Sequence, residues 1–265
     1  MVNKEDLDNK AYFLMKNYFI KFLLLTLFVQ LFNFEKVNSH SKSIYNFNYL
    51  DKLLVENSPN KNISELNINN RNIIKLLEIL KRFDRLNSPR KTIIDGKVIY
   101  TYKKFPHEPK KSIKEIENLI KNPVNTKKYE AFIKKALLSL LSNAIVISIK
   151  DLEEKDLSGQ WIHKDKTIVI NQKILKEGII YFAYLLSHEI IHVSQSCKGG
   201  SFDSYPVLLG LDLDKPKSYY FKYLDNDFYK DLKKSDQMLE IEAYANQKKI
   251  SQTLNGYKYF CLKQK

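Results

Sequence analysis

The sequence has little of several features that would assign it to a common class of protein. It contains only two cysteines, so at most one intrachain disulfide can form. It shows no internal repeat at a fixed period, which excludes solenoid and propeller architectures. Its most apolar segment, residues 22–34, is thirteen residues long, whereas a transmembrane helix takes about 20. The chain has 44% hydrophobic residues, which is ordinary for a folded protein.

The apolar segment near the N-terminus is typical of a secretion signal. Lys16 and Lys21 precede it, and a basic start followed by a short apolar stretch is the pattern of a signal peptide. If translation starts at Met15, the basic part is short and a cleavage site falls after Ser39. We therefore predict that residues 1–39 are a signal peptide or a membrane anchor, with Met15 as a candidate true start.

Two other interpretations of this segment stay open. One is an uncleaved anchor, in which residues 16–36 associate with the membrane, and the other is an ordinary buried helix. We expect an exported protein, periplasmic or extracellular, or one tethered to the membrane. The cysteines are compatible with export, because Cys197 and Cys261 can pair in an oxidising compartment. The alternative is two buried thiols that act as small apolar side chains.

The strong positive charge does not by itself predict a nucleic-acid partner. The formal net charge is +14, and such a charge can recruit anionic partners. However, lysine is spread along the whole chain beside abundant asparagine and isoleucine, while arginine is scarce. No basic stripe interleaved with aromatic residues is visible. We interpret the charge as compositional bias and expect no nucleic-acid binding.

The apolar patterning predicts an α+β protein with two regions. Residues 40–126 are predicted to be mainly helical, because apolar residues recur there at helical spacing. Residues 127–265 are predicted to form a second domain, in which β-branched runs at 145–149 and 167–170 indicate a small antiparallel sheet. The most apolar helix is predicted at 174–195. This helix is apolar nearly all round, so it must be buried.

The buried helix carries HEIIH at positions 188–192, an HExxH motif. Residues four apart share one face of a helix, so His188 and His192 can direct their imidazoles at a single ion. Glu189 is placed to reach a metal-bound water as a general base, as in zinc peptidases that carry this motif.

A competing interpretation is that His188, Glu189 and His192 satisfy one another in the core. Three ionisable groups on the most hydrophobic helix would each cost free energy if they lacked partners. A metal ion accounts for all three at once, and the motif therefore predicts a zinc site.

A catalytic zinc ion needs a third protein ligand and an open coordination position. The longer motif HExxHxxGxxH would supply a third histidine, but this chain has Gln195 and Lys198 where that motif has glycine and histidine. The metzincin type is therefore excluded. Acidic residues are better candidates, on a helix predicted to begin near Ser235, where residues 242–246 read EAYAN.

Together the two helices resemble the gluzincin-like zinc peptidases, in which a downstream helix bears ExxxD or ExxA[DN]. The resemblance implies Glu242 as the third zinc ligand and Asn246 as the residue that hydrogen bonds a zinc-bound histidine. Asparagine at position 246 departs from the commoner aspartate. Glu240 remains an alternative ligand, and Gln195 either orients a ligand or bonds a loop.

This resemblance implies a zincin-like fold for residues 127–265, a Zn2+ cofactor and hydrolysis of peptide bonds in a peptide or protein substrate. It also implies that the strand after Trp161 borders the cleft and pairs with an extended substrate. The Trp161 side chain itself is better explained as part of the core. Two alternatives stay open: a non-catalytic zinc-binding scaffold or interaction module of the cell envelope, and a basic envelope-binding module whose HEIIH is accidental.

Overall fold

The computed structural model describes residues 65–104, 109–152, 157–225, 229 and 232–262. All described residues belong to one compact unit, Lys61–Lys265.

The predicted signal peptide or anchor, with its candidate start at Met15, the cleavage site after Ser39 and the membrane-associating residues 16–36, lies outside the described residues. Within the described ranges, no helix is both long enough and apolar enough to cross a bilayer.

The structure is α+β, as predicted. The strands are β1 (Glu65–Asn67), β2 (Arg90–Ile94), β3 (Lys97–Thr101), β4 (Val146–Lys150), β5 (Gly159–Ile162) and β6 (Thr167–Asn171). The helices are α1 (Ile73–Asn87), α2 (Ile113–Lys121), α3 (Lys127–Leu141), α4 (Ile179–Lys198), α5 (Lys217–Phe221), α6 (Lys234–Asn246) and α7 (Ile250–Tyr257). A 3-10 helix, Gln172–Glu177, precedes α4, and a π-helical turn, Lys258–Leu262, follows α7.

Four strands form a mixed sheet in the order β1-β4-β6-β5, while β2 and β3 form a separate hairpin. Strand β4 pairs in parallel with β6, whereas β1 and β5 pair antiparallel with their neighbours. The prediction of an antiparallel sheet was therefore wrong for the two β-branched runs. After β4 the chain first forms β5 at the edge and then turns back, so β6 enters between them and runs parallel to β4.

The outer edge of β5 has backbone groups that do not pair within the sheet. The N–H of Asn171 donates to the carbonyl of Ser158, which fixes the alternation of hydrogen-bonded pairs along β5 and β6. In this register Gly159 and Trp161 direct their N–H and C=O groups away from β6. The Trp161 N–H donates to the carboxylate of Glu189, so an additional extended chain would pair with the backbone groups of Gly159 and the carbonyl of Trp161.

The helix predicted at 174–195 is divided at Gly178. Gly178 has φ +87°, a conformation that side-chain-bearing residues rarely adopt, and a Cβ atom there would collide with the carboxylate of Asp84. That carboxylate accepts a hydrogen bond from the N–H of Ile179, the first residue of α4, at 3.2 Å. Asp84 thus satisfies one of the four N–H groups that a helix start leaves unpaired.

Helix α4 is the central element of the fold. It contacts α1, α3, α6, α7 and β5, so it is surrounded by protein on most sides. Every residue from Ser187 to Cys197 is buried. The prediction that this helix is buried is confirmed, and its polar residues therefore lie inside the protein.

The predicted boundary between residues 126 and 127 falls within the compact unit Lys61–Lys265. Strand β1 extends the sheet through its pairing with β4, and α1 packs against α3 and α4. These elements from the first predicted region supply part of the core around α4.

Cys197 and Cys261 form a disulfide, with Cα atoms 5.1 Å apart. The bridge joins the end of α4 to the π-helical turn near the C-terminus. The sequence left open a disulfide or two buried thiols, and in the structure the two cysteines are paired.

Candidate metal centre

His188 and His192 stand one turn apart on α4, and their imidazoles converge. Their Nε2 atoms are 3.1 Å apart, and the rings meet edge to face with centroids separated by 4.8 Å. Both residues are buried, with 5% and 8% of their surface exposed. The two nitrogens therefore converge on one point, as the motif predicts.

The third side chain at this point is the carboxylate of Glu240 on α6. Its Oε2 lies 3.2 Å from Nε2 of His188, and its Oε1 lies 3.4 Å from Nε2 of His192. His188, His192 and Glu240 together form a buried group that could hold a metal ion. The prediction of Glu242 as the third ligand was wrong, because Glu242 points to the other side of α6.

The carboxylate of Glu242 is fully used by other hydrogen bonds. Its Oε2 accepts from the Gln195 side-chain amide at 2.9 Å and from the N–H of Leu209 at 2.8 Å. Its Oε1 accepts from the N–H groups of Gly210 and Leu211, at 2.7 and 2.9 Å. A carboxylate has about four acceptor sites, so none remains for a metal. Glu242 instead anchors the chain segment that follows α4.

Gln195 links the histidines to this anchor. Its side-chain oxygen accepts a hydrogen bond from Nδ1 of His192 at 2.8 Å, and its amide nitrogen donates to Glu242 and to the carbonyl of Leu239. Holding the proton on Nδ1 leaves Nε2 of His192 free to act as a ligand. Gln195 thus contacts a candidate ligand, and its side chain bonds helix α6, whereas the alternative prediction was a bond to a loop.

Asn246 does not contact either histidine, and its predicted role was wrong. Its amide nitrogen donates to the carbonyl of Glu242 at 2.9 Å, and its oxygen accepts from the ammonium of Lys249 at 2.8 Å. It lies on the same side of α6 as Glu242, one turn later, and is therefore directed away from the metal group.

The three side chains lie close enough together to hold one ion. With metal–ligand distances of about 2.0–2.1 Å, two ligands of a tetrahedral ion are about 3.3 Å apart. The two Nε2 atoms are 3.1 Å apart, Oε2 of Glu240 is 3.2 Å from that of His188, and Oε1 is 3.4 Å from that of His192. A set with one donor atom per residue lies within 4.8 Å, so an ion bound by a single Glu240 oxygen would draw that oxygen closer to one histidine. Three protein ligands would leave the fourth position open.

The electrostatics of the group already favour a positive charge. Burial opposes protonation of His192, but the Glu240 carboxylate outweighs it and raises the pKa of His192 to about 9. Burial disfavours the charge of Glu240, yet His192 and His188 together lower the pKa of Glu240 below its usual value. A metal ion at this point would take the place of the proton on His192.

Glu189 is buried beside the histidines and has an oxygen with no partner. Only 2% of its surface is exposed, and burial raises the pKa of Glu189 even though His188 and His192 act in the opposite direction. The backbone N–H of Trp161 donates to its carboxylate, but among the described residues Oε2 has no hydrogen-bond partner. Nδ1 of His188 also has no hydrogen-bond partner among the described residues. Buried polar atoms without partners are rare in proteins, and this oxygen is available to a substrate or water.

Two cavities meet at Glu189. The smaller, of about 240 Å³, is lined by all three candidate ligands, and it extends past Trp161 toward Asp236. The larger, of about 570 Å³, extends from Glu189 toward Lys222. Gly159, His188, Glu189 and Tyr229 line both cavities. The candidate metal group thus lies at the junction of a continuous cleft that follows the outer edge of β5.

The prediction that the strand after Trp161, residues 167–170, pairs with substrate was wrong, because that strand is β6 and pairs with β4 and β5 on its two sides. Trp161 itself lies on β5, the edge strand, and belongs to the core as predicted. Its side chain is 7% exposed, and its indole N–H donates to the hydroxyl of Ser196 at 2.9 Å, so it belongs to the core. One side of the residue also lines the smaller cavity.

A tyrosine cluster beside the histidines was not identified from the sequence. The ring of Tyr244 meets that of His188 at 4.6 Å, and Tyr223 stacks on Tyr244 at 5.1 Å. The hydroxyls of Tyr229 and Tyr244 are 3.2 Å apart. One signal was present: Tyr244 follows Glu240 by four residues and therefore shares its helix face.

The chain matches no family model, no curated protein and no solved structure. Its function must therefore be inferred from the site itself.

Proposed function

We propose that the protein is a zinc metallopeptidase in which His188, His192 and Glu240 hold the ion and Glu189 is the general base. The observation that carries this proposal is the buried His188–His192–Glu240 group, whose donor atoms lie within 4.8 Å of one another, next to a buried carboxylate that has an oxygen without a partner among the described residues. A structural zinc site has four protein ligands and needs no neighbouring base.

A zinc ion in this position would supply Lewis-acid chemistry, because it lowers the pKa of a coordinated water and polarises a carbonyl group. Glu189 accepts the proton of the attacking water on its carboxylate and passes it to the amine nitrogen that leaves. A base of this kind contributes about 10²–10⁴-fold to the rate. The low polarity around Glu189 strengthens each of these interactions.

The outer edge of β5 binds the substrate as an extended chain. Gly159 offers its backbone groups on this edge, and a peptide paired there crosses directly over Glu189, since a Cβ on Gly159 would lie 3.0 Å from Oε1 of Glu189. The absence of a side chain at position 159 therefore keeps the approach to the base open. Export fits the Cys197–Cys261 disulfide, since such bonds persist in oxidising compartments.

Zinc stoichiometry and peptide cleavage, measured together on three proteins, test this proposal. We expect about one zinc per chain and cleavage of an unbiased peptide library by the wild type. Glu189→Gln should keep the zinc and lose cleavage at least 100-fold. Glu240→Gln should lose both.

Three outcomes would overturn parts of the proposal in different ways. Cleavage by Glu189→Gln at the wild-type rate would remove Glu189 as the base. One zinc per chain without cleavage of any peptide would favour a non-catalytic zinc-binding scaffold. A wild type that binds no zinc under metal-replete conditions would remove the metal site altogether.

A further inference from the structure

The two halves of the cleft differ in charge. Among the described residues, the smaller cavity is lined by Asp236 and Glu240 and by no lysine or arginine. The larger cavity is lined by Lys222 and Lys248, and Glu189 at the junction is its only described carboxylate. A ligand that lies along the cleft therefore meets opposite charges on the two sides of the candidate metal group.

The two lysines are exposed, and each lies near an aromatic ring. The ammonium of Lys222 lies 3.8 Å from the ring centroid of Tyr219 and 5.1 Å from that of Tyr223. The ammonium of Lys248 lies 5.9 Å from the ring centroid of Tyr184. At exposed positions such cation–π contacts are modest, and they favour ammonium positions beside the cavity.

Neither lysine has a carboxylate partner within the part of the chain that the structure describes. The cavity is also lined by six tyrosines, several of whose hydroxyls already bond another tyrosine. They are Tyr181, Tyr184, Tyr219, Tyr223, Tyr229 and Tyr244. The charge of the two lysines therefore points to an anionic ligand group.

The aromatic ring beside Lys222 lies close to the candidate metal group. The ring of Tyr244 is 4.6 Å from that of His188, and the ring of Tyr223, on which Lys222 lies, is 5.1 Å from that of Tyr244. The rings of His188 and Tyr223 are therefore within about 10 Å of each other, which about three extended residues span.

We infer that the cavity lined by Lys222 and Lys248 is a subsite for a carboxylate of the peptide substrate. This inference rests on the proposed peptidase function and specifies its substrate class. The carboxylate belongs to an aspartate or glutamate side chain, or to the free C-terminus of the peptide, within about three residues of the cleaved bond.

Binding to Glu189→Gln protein loaded with zinc tests the subsite without cleavage. The probes are fluorescein-labelled octapeptides that differ only by glutamate or glutamine at one position, moved along the chain, each with a free or an amidated C-terminus. We expect fluorescence anisotropy to show about threefold to tenfold tighter binding for a carboxylate at one position or at the free C-terminus. The preference should weaken as salt is raised.

The double variant Lys222→Glu/Lys248→Glu, in the same Glu189→Gln background, should abolish or reverse this preference. Lys134→Glu/Lys135→Glu is the matched control, because both lysines are exposed on α3 and the variant has the same net charge. Equal binding of all probes to the parent protein, or equal effects of the two double variants, would overturn the subsite.

Cleavage of the peptide library by the wild type separates the two proposals. Cleavage sites without an acidic preference would overturn the subsite and leave the peptidase function intact. Carboxylate-selective binding without cleavage of any peptide would overturn the peptidase function and leave a cavity that binds anionic peptides.

Discussion

The side-chain oxygen of Gln195 lies 2.8 Å from Nδ1 of His192, where it accepts the proton of the imidazole ring. The same amide group donates to Glu242 at 2.9 Å. The histidine that faces the metal position is therefore connected to the carboxylate that anchors the segment around Leu209 and Gly210. If the group binds the proposed metal ion, the ion and the order of that segment would be coupled through the side chain of Gln195.

Gln195→Ala should weaken zinc binding about 10- to 100-fold, because loss of the hydrogen bond to His192 frees the ring and its tautomer. Competition with a chelator of known affinity measures the change. Ser194→Ala is a suitable control, since Ser194 is buried in the same helix but bonds only the carbonyl of Ile190. Equal affinities for the Gln195→Ala variant and the wild type would show that Gln195 does not orient the ligand.

Glu240→Gln and Glu242→Gln should have opposite effects. Glu240→Gln should lose zinc, because Glu240 contacts chiefly the two histidines. Glu242→Gln should keep zinc but lower the free energy of unfolding by about 3 kcal/mol, because an amide cannot accept all four hydrogen bonds. Elemental analysis and urea denaturation measure the two quantities. The reverse pattern, with zinc lost only in Glu242→Gln, would restore Glu242 as the ligand.

The sequence could not decide between these two glutamates. Two residues correspond to about 200° around a helix, so Glu240 and Glu242 face opposite sides of α6, and both sides contact protein. The choice is made by the segment Leu209–Leu211, which covers Glu242 with backbone N–H groups. That segment has no regular secondary structure, and no periodicity in the sequence indicates where it lies.

Reduction of the Cys197–Cys261 disulfide should destabilise the protein. The bond closes a loop with a sequence separation of 64, and the chain-entropy model gives about 4 kcal/mol for a loop of this length. Urea denaturation of the wild type and of a Cys197→Ala/Cys261→Ala variant, each with and without reductant, measures the difference. Alkylation of two thiols in native, unreduced protein would contradict the bridge.

Gly178→Ala should destabilise the protein by about 1–3 kcal/mol, because alanine is strained at φ +87° and its Cβ would collide with Asp84. Gly256→Ala is the matched control. A Cβ at Gly256, within α7, has open space around it, and alanine favours the helix by up to about 1 kcal/mol. Thermal unfolding of both variants should therefore shift in opposite directions, and a shift in the same direction would refute the strain at Gly178.

The general class of the fold was more accessible from sequence than its connections. Helix α4 was predicted because its apolar residues continue for many turns, and the strands because β-branched residues cluster in them. The parallel pairing of β4 with β6 was missed, since pairing depends on where β5 inserts and not on the composition of either strand.

In the site, too, local features could be predicted from the sequence and features that depend on packing could not. HEIIH identifies two candidate ligands and a base because all three are local on one helix. Glu240, the third candidate ligand, and the tyrosine cluster come from distant segments, and only packing brings them to His188.

The order in which the chain is made has a consequence for the metal group. Glu240 follows His188 by 52 positions, and α6 must dock against α4 before its carboxylate reaches the histidines. A chain emerging from the ribosome or crossing a membrane from its N-terminus carries both histidines well before it carries the third donor. Under the proposed function, tight metal capture would coincide with completion of the C-terminal helices, and a shortened chain that ends before α6 would retain the HEIIH motif without the third candidate ligand.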